Sequence, residues 1–79
     1  MPKVLLLNGI SFLFYSNEGS EPPHIHVKKG DAEAKFWLEP IIEMEFSDEF
    51  SVSELRFINK VIEEHREEFI RKWHEHLSR

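Results

Sequence analysis

Two histidines separated by one residue are the side chains of this sequence best suited to chemistry. His24 and His26 follow Pro22-Pro23, and they alternate with Ile25 and Val27. In a β-strand this spacing sends both imidazoles to one face, about 6.8 Å apart along the chain, and the aliphatic residues to the other. Imidazoles placed in this way can bind a metal ion, transfer protons or form a polar patch.

A metal site would need ligands beyond these two histidines. The chain has no cysteine, so a divalent metal such as zinc would be held by histidine and carboxylate alone. Glu43 and Glu45 are expected on the histidine face but roughly 10 Å away across the sheet. The remaining candidate ligand is His65, with Arg66 beside it as an anion-binding group. These residues define one hypothesis, a metal-dependent hydrolase or nuclease.

The elements that position the histidines can be predicted from turn residues. Asn8-Gly9 between two apolar runs predicts a hairpin with a two-residue type I′ turn, and therefore strands over residues 3–7 and 10–16. Pro22-Pro23 leads into a third strand over 24–29, and Gly30-Asp31 turns the chain into a fourth over 32–38. A fifth strand is expected over 41–47.

A two-residue loop at Gly30-Asp31 also fixes the register of the later strands. The expected cross-strand partners are His24 and Trp37, His26 and Lys35, Ile25 and Phe36, Phe36 and Met44, and Ala34 and Phe46. Apolar residues then meet on one face, and the histidines lie with Trp37 on the other.

One long helix is predicted to follow the strands, over about residues 51–77. Ser51 and Glu54 have the spacing of a capping box, and Phe50 and Leu55 that of a hydrophobic staple. An apolar stripe at helical spacing comprises Leu55, Ile58, Ile62, Phe69, Trp73 and Leu77. This stripe is expected to cover the sheet face that carries Ile25, Phe36 and Met44.

Length and composition complete the predicted fold. Seventy-nine residues with 41% hydrophobic content fit a single α+β domain over 1–79: an antiparallel meander of about five strands with one long C-terminal helix on one face. The net charge of -5 opposes direct binding to nucleic acid. The apolar N-terminal run is interrupted at Asn8-Gly9, and no segment has the length of a membrane span, so a cytoplasmic location is expected.

Several of these features together resemble a known family. The short hairpin with Gly9, the Pro22-Pro23-His24-Ile25-His26-Val27 block and a late helix with Glu64-His65-Arg66 and Trp73 are similar to the bacterial domain-of-unknown-function family 4160. The family has no assigned chemistry. The resemblance implies a small protein encoded beside a second small domain, in toxin-antitoxin-like or regulatory pairs. The loop of residues 16–21 departs from the family, whose members more often carry Asp there.

A partner-binding role is the main functional prediction. One helix cannot cover both faces of the sheet, so the histidine face should expose apolar residues of the kind that mark interfaces. The expected contact surface comprises Leu13, Tyr15, His24, His26 and Trp37, next to the exposed Val4, Leu6 and Ile41. The sequence therefore predicts a non-enzymatic regulatory module that binds a protein partner or itself, and the metal-dependent enzyme remains the alternative.

Overall fold

The computed structural model of the chain describes residues 3–15 and 20–77. Five strands and one helix follow one another: β1 (Lys3–Leu7), β2 (Ile10–Leu13), β3 (His24–Lys29), β4 (Ala32–Trp37), β5 (Glu43–Asp48) and α1 (Val52–Leu77). The strands form one antiparallel sheet in the order β1-β2-β3-β4-β5, so β1 and β5 are its edges. The predicted α+β meander with a C-terminal helix is confirmed.

Tight turns create the first and third hairpins. Asn8 and Gly9 both have positive φ, 52° and 74°, as a type I′ turn requires, and they join Leu7 to Ile10. The second tight turn places Gly30 at φ 57° between β3 and β4. Three strands are shorter than predicted, and one of them, β4, ends one residue early at Trp37. β2 ends at Leu13 instead of residue 16, which itself lies outside the described residues, and β5 begins two residues later, at Glu43.

The predicted register holds between β3 and β4 and fails in part of β5. His24 pairs with Trp37 and Ile25 with Phe36, as expected. In β5 the register shifts opposite Lys35, so that Phe46 pairs with Lys35 and Ser47 takes the expected place of Phe46 opposite Ala34. This irregularity is a β-bulge, in which one strand carries an extra residue. The bulge moves Phe46 from the core face to the histidine face, where it is 42% exposed.

The start of α1 is fixed by its capping box. The Ser51 Oγ accepts a hydrogen bond from the Glu54 backbone N–H at 3.1 Å, and the Glu54 carboxylate accepts one from the Ser51 N–H at 2.9 Å. These two bonds satisfy backbone donors that helix geometry leaves unpaired. The Lys29 ammonium, 3.0 Å from the same carboxylate, ties this end of the helix to the end of β3.

The helix packs over the middle of the sheet and leaves β5 uncovered. Its buried stripe of Ile58, Val61, Ile62, Phe69 and Trp73 meets residues of the inner strands, including Phe12, Ile25 and Phe36. Of the residues predicted for the stripe, only Leu77 has its side chain outside the described part. The prediction that α1 also covers Met44 is wrong: Met44 is 47% exposed, because the helix contacts β3 and one helix is narrower than five strands.

No helix of the described residues combines the length and the apolar character needed to cross a membrane.

Candidate functional site

The two histidines of β3 lie in the interior of the protein. His24 is 0% exposed and His26 is 4% exposed, and their rings lie nearly perpendicular with centroids 5.0 Å apart. The prediction that they are surface or interface residues is therefore wrong. Alternation along β3 does send them to the same side, but other side chains enclose that side.

Aromatic rings from three other segments enclose the histidines. The Tyr15 ring stacks on His26 at 3.9 Å between centroids, and the Trp37 ring meets His24 at 5.3 Å. On the helix, Trp73 approaches His24 to 4.6 Å. Trp73 was assigned only to the helix core from sequence. The sequence does contain a signal for this contact. Trp73 lies near the end of a helix that is longer than the strands, so its side chain can reach the end of the sheet.

The structure brings together the five residues predicted as a contact surface, but as an internal cluster. Leu13 is buried and pairs with His26 across β2 and β3, and Tyr15 and Trp37 are half-buried. We call Leu13, Tyr15, His24, His26, Trp37 and Trp73 the histidine cluster. Of the exposed residues expected around it, Leu6 and Ile41 are exposed, at the edge of the sheet and in the β4–β5 loop. The expectation for Val4 is wrong, because Val4 is half-buried against the core.

Polar groups close the rim of the histidine cluster. The His24 Nδ1–H donates to the Pro22 carbonyl at 3.0 Å, and the Trp37 Nε1–H donates to the Glu45 carboxylate at 2.7 Å. The Lys35 ammonium lies 4.4 Å above the Trp37 ring and bonds to the Glu21 carboxylate at 3.1 Å. These contacts hold the side chains of the cluster in place. They also bind Glu21 and Pro22, which precede β3, to the cluster.

His65 does not join the other two histidines. It lies on α1, where its ring stacks on Phe69 at 5.6 Å and its Nδ1–H donates to the Glu68 carboxylate at 3.1 Å. This hydrogen bond is the main cause that lowers the pKa of Glu68 below its ordinary value of 4.5. Within residues 3–15 and 20–77, no three histidine or acidic side chains are grouped closely enough to bind a metal ion.

Arg66, the predicted anion-binding residue, is bound to backbone carbonyls. Its Nε–H donates to the Leu38 carbonyl at 2.8 Å and its Nη2–H to the Pro40 carbonyl at 3.3 Å. The guanidinium therefore joins the helix to the loop that separates β4 from β5. Sequence reasoning could not identify these acceptors, because any residue supplies a backbone carbonyl.

A large concave surface among the described residues lies on the other side of the sheet, beside β5. It is an open groove of about 690 Å³ between β5 and the first half of α1. Phe36 and Met44 of the sheet form its floor, and Val52 and Leu55 of the helix form its apolar wall. Because α1 does not cover Met44, the groove is a gap in the helix layer.

The rim of this groove is polar and holds two cations that have no partner among the described residues. Arg56, Asn59, Lys60 and Glu63 line it along α1. Asn59 donates a hydrogen bond to the Glu63 carboxylate at 3.1 Å. Arg56 and Lys60 make no ion pair or hydrogen bond with any other described residue. Sequence reasoning missed the groove, because its existence depends on where the helix crosses the sheet.

Comparison with known proteins identifies a family that the chain matches. The model of a family described as a domain of unknown function, DUF4160, matches residues 9–74. No curated protein and no solved structure matches the chain.

Proposed function

The chain belongs to the DUF4160 family, whose function is unknown, and we propose that it is a partner-binding module that contacts another protein through the groove beside β5. We further propose that it works as a regulatory protein of the bacterial cytoplasm, in a toxin-antitoxin-like pair of the kind that the sequence resemblance implies. The histidine cluster then supports the fold and does not form the contact surface.

The observation that carries this proposal is the apolar floor and wall of the groove. Val52 is 67% exposed and Met44 47%, and both line one concavity of about 690 Å³. Scattered apolar residues are ordinary on a protein surface, but a continuous apolar patch with a polar rim is typical of interaction sites. Burial of this surface would also stabilise a chain of only 79 residues, whose core is small.

The enzyme alternative receives less support from the same geometry. It requires a third ligand or an anion-binding group beside His24 and His26. In the part of the chain that the structure describes, His65 is engaged with Glu68 and Arg66 with two carbonyls. Full burial of His24 also separates it from substrate in bulk solvent.

Site-specific photo-crosslinking tests the proposal. A photoreactive phenylalanine analogue is introduced at Val52, inside the groove, and in a second variant at Ile41, which is 64% exposed and lies outside it. Both variants are irradiated in cells that also express the neighbouring gene, and crosslinked species are identified by mass spectrometry. We expect a discrete protein adduct from position 52 and none from position 41.

Crosslinks from position 41 alone would move the contact surface to the β4–β5 loop and contradict the proposal. Absence of adducts from both positions, with both variants folded, would also contradict it. An adduct with a second copy of the chain at position 52 would assign the groove to self-association.

A further inference from the structure

We infer that the groove beside β5 binds an extended segment of the partner, which joins the sheet as a sixth strand with apolar and acidic side chains facing α1. This inference rests on the proposed function and specifies the partner's conformation and chemistry. Three features of the described residues support it: the open edge of β5, the exposure of β5 on both faces, and the distribution of charge.

The first feature is the open edge of the sheet. β5 is the last strand in the sheet order, and within residues 3–15 and 20–77 it pairs only with β4. An edge strand presents a row of backbone N–H and C=O groups that can pair with another extended segment. Strand addition of this kind derives affinity from main-chain hydrogen bonds and specificity from pockets for alternate side chains. The groove is a pocket of that kind, located beside the edge.

The second feature is that β5 exposes apolar side chains on both faces. Met44 lies on the groove side, and the bulge turns Phe46 to the opposite side, opposite Lys35. They are 47% and 42% exposed. A helix that docks in the groove would cover Met44 and leave Phe46 in solvent. A sixth strand has side chains on both faces, so it would cover Met44 and Phe46 together.

The third feature is charge. On the groove side, Arg56 and Lys60 lack partners among the described residues and lie one helical turn apart, about 6 Å along the axis. They favour a carboxylate among the partner residues that face α1. On the opposite face β5 presents Glu43 and Glu45, next to Trp37. Cross-strand neighbours of opposite charge are favourable, so the residues of the partner on that face should be basic.

A second copy of this chain fits the edge poorly. The antiparallel register that pairs all six residues of β5 with another β5 puts Glu43 opposite Asp48 at both ends, and like charges in that position are destabilising. Pairing of β5 with the other edge, β1, joins two different surfaces and continues from copy to copy without closing. We therefore assign the edge to a different protein.

A designed peptide tests strand addition directly. The probe is the capped nonapeptide Lys-Leu-Thr-Val-Lys-Glu-Thr-Leu-Lys, which places leucine, valine and glutamate on one face of a strand and lysine and threonine on the other. Its binding to the full chain is measured by titration with amide NMR spectra. Two further peptides carry N-methyl groups on either the odd or the even residues. In a strand, alternate N–H groups point to opposite edges, so only one set can bond to β5.

We expect the parent peptide to bind, one methylated peptide to bind at least about tenfold more weakly, and the other to bind within about twofold of the parent. The loss follows from several main-chain hydrogen bonds removed together. Equal weakening by both sets, no weakening by either, or no binding of the parent peptide would overturn strand addition.

Charge-reversal variants test the predicted partner chemistry. The double variant Arg56→Glu, Lys60→Glu should bind the probe at least about fivefold more weakly and recover affinity for a probe with lysine in place of glutamate. Lys28→Glu, an exposed cation of β3 outside the groove, should leave both affinities unchanged. Equal effects of the two variants would overturn the charge assignment. A crosslink at position 52 together with failure of both peptide tests would leave the partner-binding function in place and reject the sixth strand.

Discussion

Arg66 shows how a charged side chain in this small protein can serve the fold. Its two donors reach across from α1 to carbonyls on either side of Glu39, at 2.8 and 3.3 Å. Backbone carbonyls in a loop need partners when the loop is packed against a helix. The guanidinium supplies them and holds the β4–β5 connection, which in turn fixes where β5 begins.

Replacement of Arg66 by methionine should lower the free energy of unfolding by about 1 to 3 kcal/mol. Methionine retains most of the apolar stem but removes charge-assisted donors from two carbonyls. Arg56→Met on the same helix is the matched control and should change stability by less than about 0.5 kcal/mol, because Arg56 is exposed and has no described partner. Urea denaturation of both variants measures the difference. Equal stabilities would contradict a structural role for Arg66.

His24→Ala should destabilise the protein by about 2 to 4 kcal/mol. The substitution removes a fully buried ring that contacts Trp37 and Trp73, and it leaves the Pro22 carbonyl without its donor. His74→Ala, an exposed histidine near the end of α1, should have little effect. Thermal unfolding monitored by circular dichroism compares the two. A wild-type melting temperature in the His24 variant would show that the histidine cluster is not part of the core.

At the scale of elements, the start of α1 depends on an ionised side chain. The hydrogen bond from the Ser51 backbone N–H, followed by that from the Lys29 ammonium, lowers the pKa of Glu54 below its ordinary value of 4.5. The unfolded chain therefore binds this proton at a higher pH than the folded chain does. Stability from this group is complete above the unfolded pKa and is lost as the pH falls through the folded pKa.

Stability should therefore decrease on acidification below about pH 4.5, and Glu54→Gln should weaken that dependence. Glu67→Gln, at an exposed position in the middle of the same helix, should retain the wild-type profile. Chemical denaturation at pH values between 3 and 6 measures the three slopes. If Glu54→Gln and wild type lose stability in parallel, the capping carboxylate does not contribute to the acid dependence.

The strands and the helix also differ in how well the sequence predicts them. The β3–β4 register follows from a two-residue turn and strict alternation, and both are local properties. The bulge opposite Lys35 is different, because no residue type demands it, and yet it decides which face carries Phe46. Burial of His24 depends on Trp73, about fifty residues away along the chain, and therefore on how the helix meets the sheet.

At the scale of the whole molecule, the protein has two layers, a five-stranded sheet and a single helix. The helix layer is incomplete, because it leaves β5 uncovered. One helix lies over the middle of a sheet whose edges, in the described part of the chain, are β1 and β5, and the groove occupies the uncovered side next to β5. In a protein with such a small core, a ligand that binds only the folded state contributes directly to its stability. Binding of the proposed partner would therefore be thermodynamically linked to folding.

The probe peptide should accordingly raise the melting temperature in a concentration-dependent way. At a free concentration about 100 times its Kd, the stabilisation is about 2.7 kcal/mol, which corresponds to at least about 10 °C for a domain of this size. Val52→Asp should remove the shift, because it places a carboxylate in the apolar wall of the groove, whereas Ile41→Asp should retain it. Differential scanning fluorimetry across a peptide titration distinguishes the two variants.

The position of His24 between two indole rings also has a practical consequence. The chain contains two tryptophans, and the rings of both lie within 5.3 Å of the His24 ring. One of them belongs to the sheet and the other to the helix. Tryptophan fluorescence of the unlabelled protein, excited selectively at about 295 nm, therefore originates entirely from the surroundings of His24. Separation of the helix from the sheet should change the emission of both tryptophans together.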